Sequence, residues 1–249
     1  MKIALFSDVH ANLPALETVL GHIGANAYDA VYCLGDMGGY GGNPNEVQEA
    51  VAELGYPVLL GNYDEAVGFE KENCGCSYTK PFDIEMRRIS FQWTLAHTSE
   101  RNKSLLRAYP QTMRLNVEGL SILLCHGSPV SNTEYLFEAR SDGYLSRFTS
   151  GEKYDAHADV IAFGHTHVPF HRCVAGVHFV NTGSVGRPKD GNALAGYTLL
   201  TIKAAASASS ISSASSLYER SSIRCSACST VARSITSPFI YSICIYYIL

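Results

Sequence analysis

The 249-residue chain is poor in charge: 17% of its residues are charged, and 23 acids against 19 bases leave a formal net charge of −4. It has no basic tract, which argues against a nucleic-acid backbone as its main partner. It has no apolar run of the ~20 residues that span a bilayer, so no membrane partner is expected. The opening MKIALFSDVHANL is too short in its apolar stretch to read as a secretory signal. A second cysteine pair at zinc-finger spacing is also missing. CGC (Cys74, Cys76) and CSAC (Cys225, Cys228) each lack a second pair and read as incidental thiols. These absences point to a reduced, cytoplasmic protein that needs no disulfides, because a chain of this length builds a real core.

What is present is a pattern. Residues 3–7 form a short apolar run, a buried strand. Asn12 caps a following helix with Pro14 in its first turn and Leu16, Val19, Leu20 and Ile23 on one face. Residues 30–34 and 57–60 read as two more strands. Between them NPNE opens a helix, with Asn43 as cap, Pro44 at the first position and Glu46 three after the cap. This β-α-β-α-β run predicts a parallel sheet wrapped by helices. Residues 67–82 read as loop, and residues 83–109 as a helical insertion in two pieces, with Ser99 capping the second, over one end of the sheet. The β pattern then returns with hairpins turning at Glu118-Gly119 and Ala175-Gly176, a strand in DVIAF and a last one in GYTLLTI. A second sheet packed on the first is expected.

From residue 203 the chain is rich in Ser, Ala and Ile. The tail shows no steady period; SASSISSASS reads as a flexible linker, and the final FIYSICIYYIL is apolar and β-prone, an aggregation liability if exposed. The division expected is a catalytic domain over residues 1–202 and an atypical, poorly ordered tail over 203–249.

The chemistry sits where apolar runs stop. One run ends in SDVH (Asp8, His10), the next in GD (Asp36), the next in GN (Asn62). ILLC ends in HG (His126) and VIAF in GHTH (His165, His167). Each alone has a structural reading as a turn or a satisfied interior histidine. Jointly they do not, because parallel strands deliver their C-terminal ends to one edge of a sheet. Seven buried polar groups there are costly unless something binds them. Nitrogen and oxygen donors without thiolates suit manganese, iron, zinc, cobalt or nickel. Seven are too many for one tetrahedral ion but fit two ions sharing a carboxylate. Ions about 3.5–4 Å apart serve in-line displacement at phosphorus. Two dications facing two carboxylates keep surplus positive charge, which attracts a phosphate and lowers the pKa of a bridging water.

SDVHAN, GDMGGYGGNP, GNYDE, CHGSP, GHTH and NTGSVGRP resemble, in order, the motifs of the calcineurin-like metallophosphoesterases. They are most similar to the small prokaryotic phosphodiesterase and diadenosine-polyphosphatase-like branch. The resemblance spans about residues 1–202 and implies a four-layer α/β/β/α sandwich with a dinuclear site. It places Asp8, His10 and His167 on the first metal, Asn62, His126 and His165 on the second, and Asp36 between them. Manganese is the foremost expectation for both ions. Arg187 is assigned to substrate, a small phosphorylated molecule, and Asn62 is counted with the substrate as well as the metal.

The sequence departs from the family at GNYDE. There the pattern commonly reads Gly-Asn-His-Asp, with the histidine near the leaving group and the aspartate orienting it. Tyr63 stands in the histidine's place beside Asp64. The catalytic reading has Tyr63 contact the phosphoryl group while Asp64 holds the loop; the alternative has Tyr63 pack under the helical insertion. For the whole chain, hydrolysis of phosphodiesters or phosphomonoesters by a metal-bridging hydroxide is the leading expectation. A catalytically weakened scaffold that binds proteins and a nucleotide-directed hydrolase such as a diadenosine polyphosphatase are the alternatives.

Overall fold

The centre of the first sheet is β1 (Lys2–Phe6), whose apolar side chains are completely buried. It pairs in parallel with β2 (Ala30–Cys33) through α1 (Leu13–Gly24), and antiparallel with β8 (Tyr197–Ala205). The computed structural model describes residues 1–77, 80–149, 157–205, 223–232 and 240–248. Asn12 caps α1 as expected, accepting from the Ala15 N–H at 3.3 Å, and α1 buries Leu16, Val19 and Ile23. Helix α2 (Pro44–Glu53) starts at its proline and buries Val47 and Val51 beside α1, although the Asn43 side chain makes no cap bond. Helices α3 (Asn62–Gly68), α4 (Pro81–His97) and α5 (Glu100–Ala108) follow. The last two are the anticipated insertion, with Ser99 capping α5 through the Asn102 N–H.

The second sheet has the order β3 (Thr112–Val117), β4 (Leu120–Cys125), β5 (Val160–Phe163), β7 (Val177–Asn181), β6 (Phe170–Val174). Strands β4, β5 and β7 run parallel; β3 and β6 are hairpin partners at the two edges. Both hairpins turn where the sequence placed them, with all four turn residues at positive φ (50°, 83°, 49° and 80°). The sheets face each other through Ile3, Leu5, Ile122, Leu124, Val160 and Leu200. Helices α1 and α2 cover the outer face of the first sheet. The short α6 (Asp142–Leu145) and a 3-10 turn, Ser146–Phe148, lie on the second. Two mixed sheets flanked by helices are the expected architecture. Among the described residues no helix is long and apolar enough to cross a membrane.

Two expectations need correction. Residues 57–60 form not a strand but a single bridge, Cys33 to Val58. Pro57 has no N–H to donate, and the Leu60 N–H turns away to the Pro110 carbonyl at 2.8 Å. The tail, expected to be poorly ordered, supplies β9 (Ile223–Ala232) and β10 (Ile240–Ile248), which complete the first sheet in the order β2-β1-β8-β10-β9. β10 pairs with β8 over nine residues. Its Ile245 and Tyr247 join the core between the sheets, and Ile248 joins the core under the helices. A strand buried on both faces is apolar on both, which erases the alternation that marks strands in sequence. Strand β8 also runs to Ala205, past the expected domain end at 202. The linker reading at 207–216 lies outside the described residues.

Candidate metal centre

Strands β1, β2, β4 and β5 end at a common edge, and the chain leaves each of them abruptly. Asp8, His10, Asp36, His165 and His167 all have φ between 50° and 65°, five of the ten non-glycine residues at positive φ among those described. Such a conformation costs about 1–3 kcal/mol per residue and persists where the surroundings over-determine it. Here they do. The Asp8 carboxylate accepts from Ser7 Oγ (2.6 Å) and from the His165 N–H (2.9 Å), which locks the two sheets together at this edge. A side chain at Gly164 would not fit: its Cβ would lie 2.3 Å from Ser7 Oγ and 2.4 Å from Asp8 Oδ2.

Two trios result, Asp8–His10–His167 and Asp36–His126–His165, each with ligand atoms within 4.8 Å of one another and all six residues buried. The trios abut: His10 Nε2 is 3.7 Å from Asp8 Oδ1 and 3.9 Å from Asp36 Oδ2. His126 Nε2 lies 3.4 Å from Asp36 Oδ2, and His167 Nε2 3.3 Å from Asp8 Oδ1.

The hydrogen bonds behind the rings decide what faces inward. A carbonyl oxygen only accepts, so a ring nitrogen bonded to one carries the proton. His10 Nδ1 donates to the Gly38 carbonyl, His126 Nδ1 to that of Leu34 and His167 Nδ1 to that of Arg187, at 2.9, 2.8 and 2.6 Å. In the neutral rings every Nε2 is then a lone pair. His10 Nε2 and His167 Nε2 nevertheless face each other at 3.1 Å. His126 Nε2 faces Asn62 Oδ1 at 3.1 Å, while Asn62 Nδ2 donates to the Cys74 carbonyl at 2.7 Å. Asp8 Oδ1 and His165 Nε2 are buried with no hydrogen-bond partner. Lone pairs at these separations repel unless a cation lies among them, so the residues present fit metal ions. Carbonyl-anchored imidazoles are also the usual outer support of metal ligands.

The ionisation pattern agrees at His10 and His165, which stay neutral, and departs from it at His126. Burial opposes the Asp8 carboxylate, yet His167, with His126 and His10, holds it far below the usual range. Asp36 is held down by His126 against burial. Burial and His167 push His10 down to about 4, and burial and His126 push His165 down to about 3. His126 goes the other way: against burial, Asp36 raises it to about 10. A proton on His126 would compete with a cation for the same lone pair.

The GNYDE segment is the first turn of α3. Asn62 joins the second trio. The Asp64 carboxylate accepts from the N–H groups of Asp36, Met37 and Gly38 at 2.7, 2.9 and 3.3 Å, and so clamps the loop that carries Asp36. Burial, followed by the Asp36 charge, raises its pKa to about 7. Tyr63 is fully buried, its ring set against Phe91 and Tyr40 and its hydroxyl 3.4 Å from Ser90 Oγ of α4. This arrangement is the packing alternative, and burial pushes the phenol up. Half-buried Arg187 stacks its guanidinium 4.1 Å over Tyr40, whose ring meets His10 edge-on at 4.9 Å.

Several supporting residues escape the sequence. Asn181 holds the GHTH turn through Nδ2 to the Gly164 carbonyl (2.7 Å), and Thr182 bonds Ser7 (2.7 Å) behind Asp8. Asn12 donates to the Gly186 carbonyl (3.0 Å) besides capping α1. Tyr135 packs on His165 with centroids 4.0 Å apart. The NTG of NTGSVGRP contains Asn181 and Thr182, and SDVHAN contains Asn12; nothing in the sequence pointed to Tyr135. Their roles depend on contacts between residues distant in sequence.

The calcineurin-like phosphoesterase superfamily domain matches residues 1–205, and the chain belongs to that family. It is 30% identical over 218 residues to the uncharacterized protein MJ0912 of Methanocaldococcus jannaschii, covering 81% of this chain and 83% of that one. The metallophosphoesterase of Sphaerobacter thermophilus has a similar structure (TM-score 0.59, 29% identity, 80% of this chain and 82% of that one). So does the hypothetical protein PH1004 of Pyrococcus horikoshii OT3, at TM-score 0.66, 19% identity and coverages of 80% and 83%.

Proposed function

We propose that this chain is a phosphoester hydrolase that works with two divalent transition-metal ions. Asp8, His10 and His167 hold one, Asn62, His126 and His165 the other, and Asp36 is shared. The observation that carries this reading is the set of lone pairs left without donors: His10 Nε2 faces His167 Nε2 at 3.1 Å, and Asp8 Oδ1 and His165 Nε2 are buried beside them with no hydrogen-bond partner. When bound, such ions supply positive charge that acidifies water and neutralises a phosphoryl group in transfer. The protein's own part is to fix the ligands by carbonyl bonds, keep both carboxylates ionised and exclude bulk water from the edge where the strands end.

The donor set, nitrogen and oxygen throughout, suits manganese, iron, zinc, cobalt or nickel, and we put manganese first. Arg187 is the residue assigned to a phosphate; its carbonyl bond to His167 and its guanidinium over the Tyr40 ring beside His10 support that assignment. The substrate is a small phosphorylated molecule, and the setting is cytoplasmic. The test is elemental analysis of purified protein together with turnover of bis-p-nitrophenyl phosphate, p-nitrophenyl phosphate and a diadenosine polyphosphate, with and without added manganese. About two ions per chain and metal-dependent hydrolysis are expected. Active protein without metal overturns the reading, and metal-loaded protein inert to the whole panel favours the scaffold.

A further inference from the structure

Among the described residues, CGC is a chemistry-bearing motif that the proposed function leaves unused. Cys74 is buried and Cys76 half-buried, and their sulfurs lie 2.8 Å apart, with Cys74 donating to Cys76. Gly75 between them sits at φ 72°, where a Cβ would come 2.8 Å from Thr133 Cγ2, so the reversal needs glycine. Arg87 Nη1 fixes the Cys76 carbonyl at 2.5 Å. Both cysteines grip one side chain: Asn62 Nδ2 donates to the Cys74 carbonyl (2.7 Å) and to Cys76 Sγ (3.3 Å). Those two bonds turn the amide so that Oδ1 faces His126.

We infer that Cys74 and Cys76 are a reversible dithiol–disulfide site, closed by a peroxide-class oxidant, and that closure disturbs the bonds that aim Asn62 at the second metal position. Cys76, the sulfur that reaches solvent, attacks the peroxide O–O bond and gives up its thiol proton. It becomes a sulfenic acid and releases hydroxide, which takes up a proton. The Cys74 sulfur then attacks the sulfenic sulfur, and the displaced hydroxide leaves as a second water. In sum two thiols and one peroxide give one disulfide and two waters. A thiol reductant reopens the bond by exchange, as suits a transient disulfide in a reducing compartment. In the closed form Cys76 Sγ no longer has a thiol's freedom to follow the Asn62 amide, and the Cys74 carbonyl shifts with its side chain. The link to metal retention rests on the proposed function; the disulfide does not.

The test uses the full chain, metal-loaded, treated with hydrogen peroxide, alkylated after denaturation and mapped by peptide mass. The expected result is a peptide that has lost two hydrogens and both alkylation sites at Cys74 and Cys76, restored by dithiothreitol. Both residues staying alkylatable at a dose that oxidises the exposed Cys173 overturns the site. Elemental analysis reads the second half: oxidised wild type should lose one of two ions, and Cys76→Ser, which cannot close, should not respond to peroxide. A mapped disulfide with unchanged metal content overturns the coupling to Asn62. Protein that holds no metal before oxidation instead sinks the proposed function, and the peptide map still decides the disulfide.

Discussion

The two trios of the centre are alike in composition and unlike in how they are held. In the first, the Asp8 carboxylate is tied through one oxygen to Ser7 and the His165 N–H, and its other oxygen is an orphan. In the second, Asp36 Oδ1 accepts from the Tyr63 N–H at 2.8 Å, and its loop is gripped from behind by Asp64. The first trio is thus braced across the two sheets, the second by the start of one helix. His165 crosses between them: its ring belongs to the second trio and its backbone holds the first. A site built this way loses its two halves unequally.

The sharpest way to break that comparison is at the shared carboxylate. Asp36→Asn should strip both ions and lower turnover by at least about 100-fold, because a direct ligand matters more than the outer-shell partners that already cost 10–100-fold. Asp8→Asn should release mainly the first ion and leave the second measurable by elemental analysis. If the two variants lose metal equally, the halves are not held separately. If Asp36→Asn keeps full kcat with manganese in excess, Asp36 is not shared.

The brace behind the second trio should matter for stability. Asp64→Ala leaves the buried N–H groups of Asp36, Met37 and Gly38 without their acceptor. Each such loss costs about 1–3 kcal/mol, so a net loss on the order of 2–4 kcal/mol is expected. Denaturant unfolding of metal-free protein reads this directly. A loss under about 1 kcal/mol would show that water replaces the carboxylate and that the second trio has no special support.

The residues of the two trios were legible because each follows an apolar run, and a run that stops at Asp or His announces a strand end. Their grouping was legible through parallel topology. What the sequence hid is of another kind. Asn62 opens a helix, but seven residues with a polar first turn carry no clear period. Asp64 acts on a loop 26–28 residues earlier, a contact that no local pattern encodes. Cys74 and Cys76 looked incidental because two thiols make no metal site, and their grip on Asn62 exists only once α3 forms. Strand β10 offered only a β-prone composition, because its run is apolar at successive positions and lacks the alternation that marks a strand.

A histidine pair outside the centre sharpens the comparison further. His171 and His178, cross-strand neighbours on β6 and β7, bond ring to ring at 2.9 Å and need no cation. Burial, then His171, depresses His178 to about 4. The unfolded chain binds this proton below about 6.5, so the folded state loses stability as pH falls from about 6.5 toward 4. The stabilisation from a neutral His178 is complete above that window. His178→Gln should remove roughly 1–3 kcal/mol of the acid-side slope in metal-free protein. An unchanged slope between pH 6.5 and 4 would assign the acid sensitivity to the centre's own histidines.

The smallest effect is expected at Tyr63, whose backbone serves the second trio while its side chain serves the insertion. The N–H bonded to Asp36 survives any substitution of the ring. Its hydroxyl makes a long contact with Ser90, and a fully buried phenol raised above its ordinary value is a poor proton donor at neutral pH. Tyr63→Phe should therefore cost under about 1 kcal/mol of stability. Its turnover of activated aryl phosphates and of alkyl phosphates should stay near wild type. A slowing shared by both substrate classes would mean that the hydroxyl reaches the transferring phosphoryl group. A slowing confined to alkyl leaving groups would make it the acid, and Tyr63→His should then raise alkyl turnover. Wild-type rates on both classes would leave the tyrosine as the packing link between α3 and α4, with the chemistry of this turn carried by Asn62 ahead of it and its rigidity by Asp64 behind.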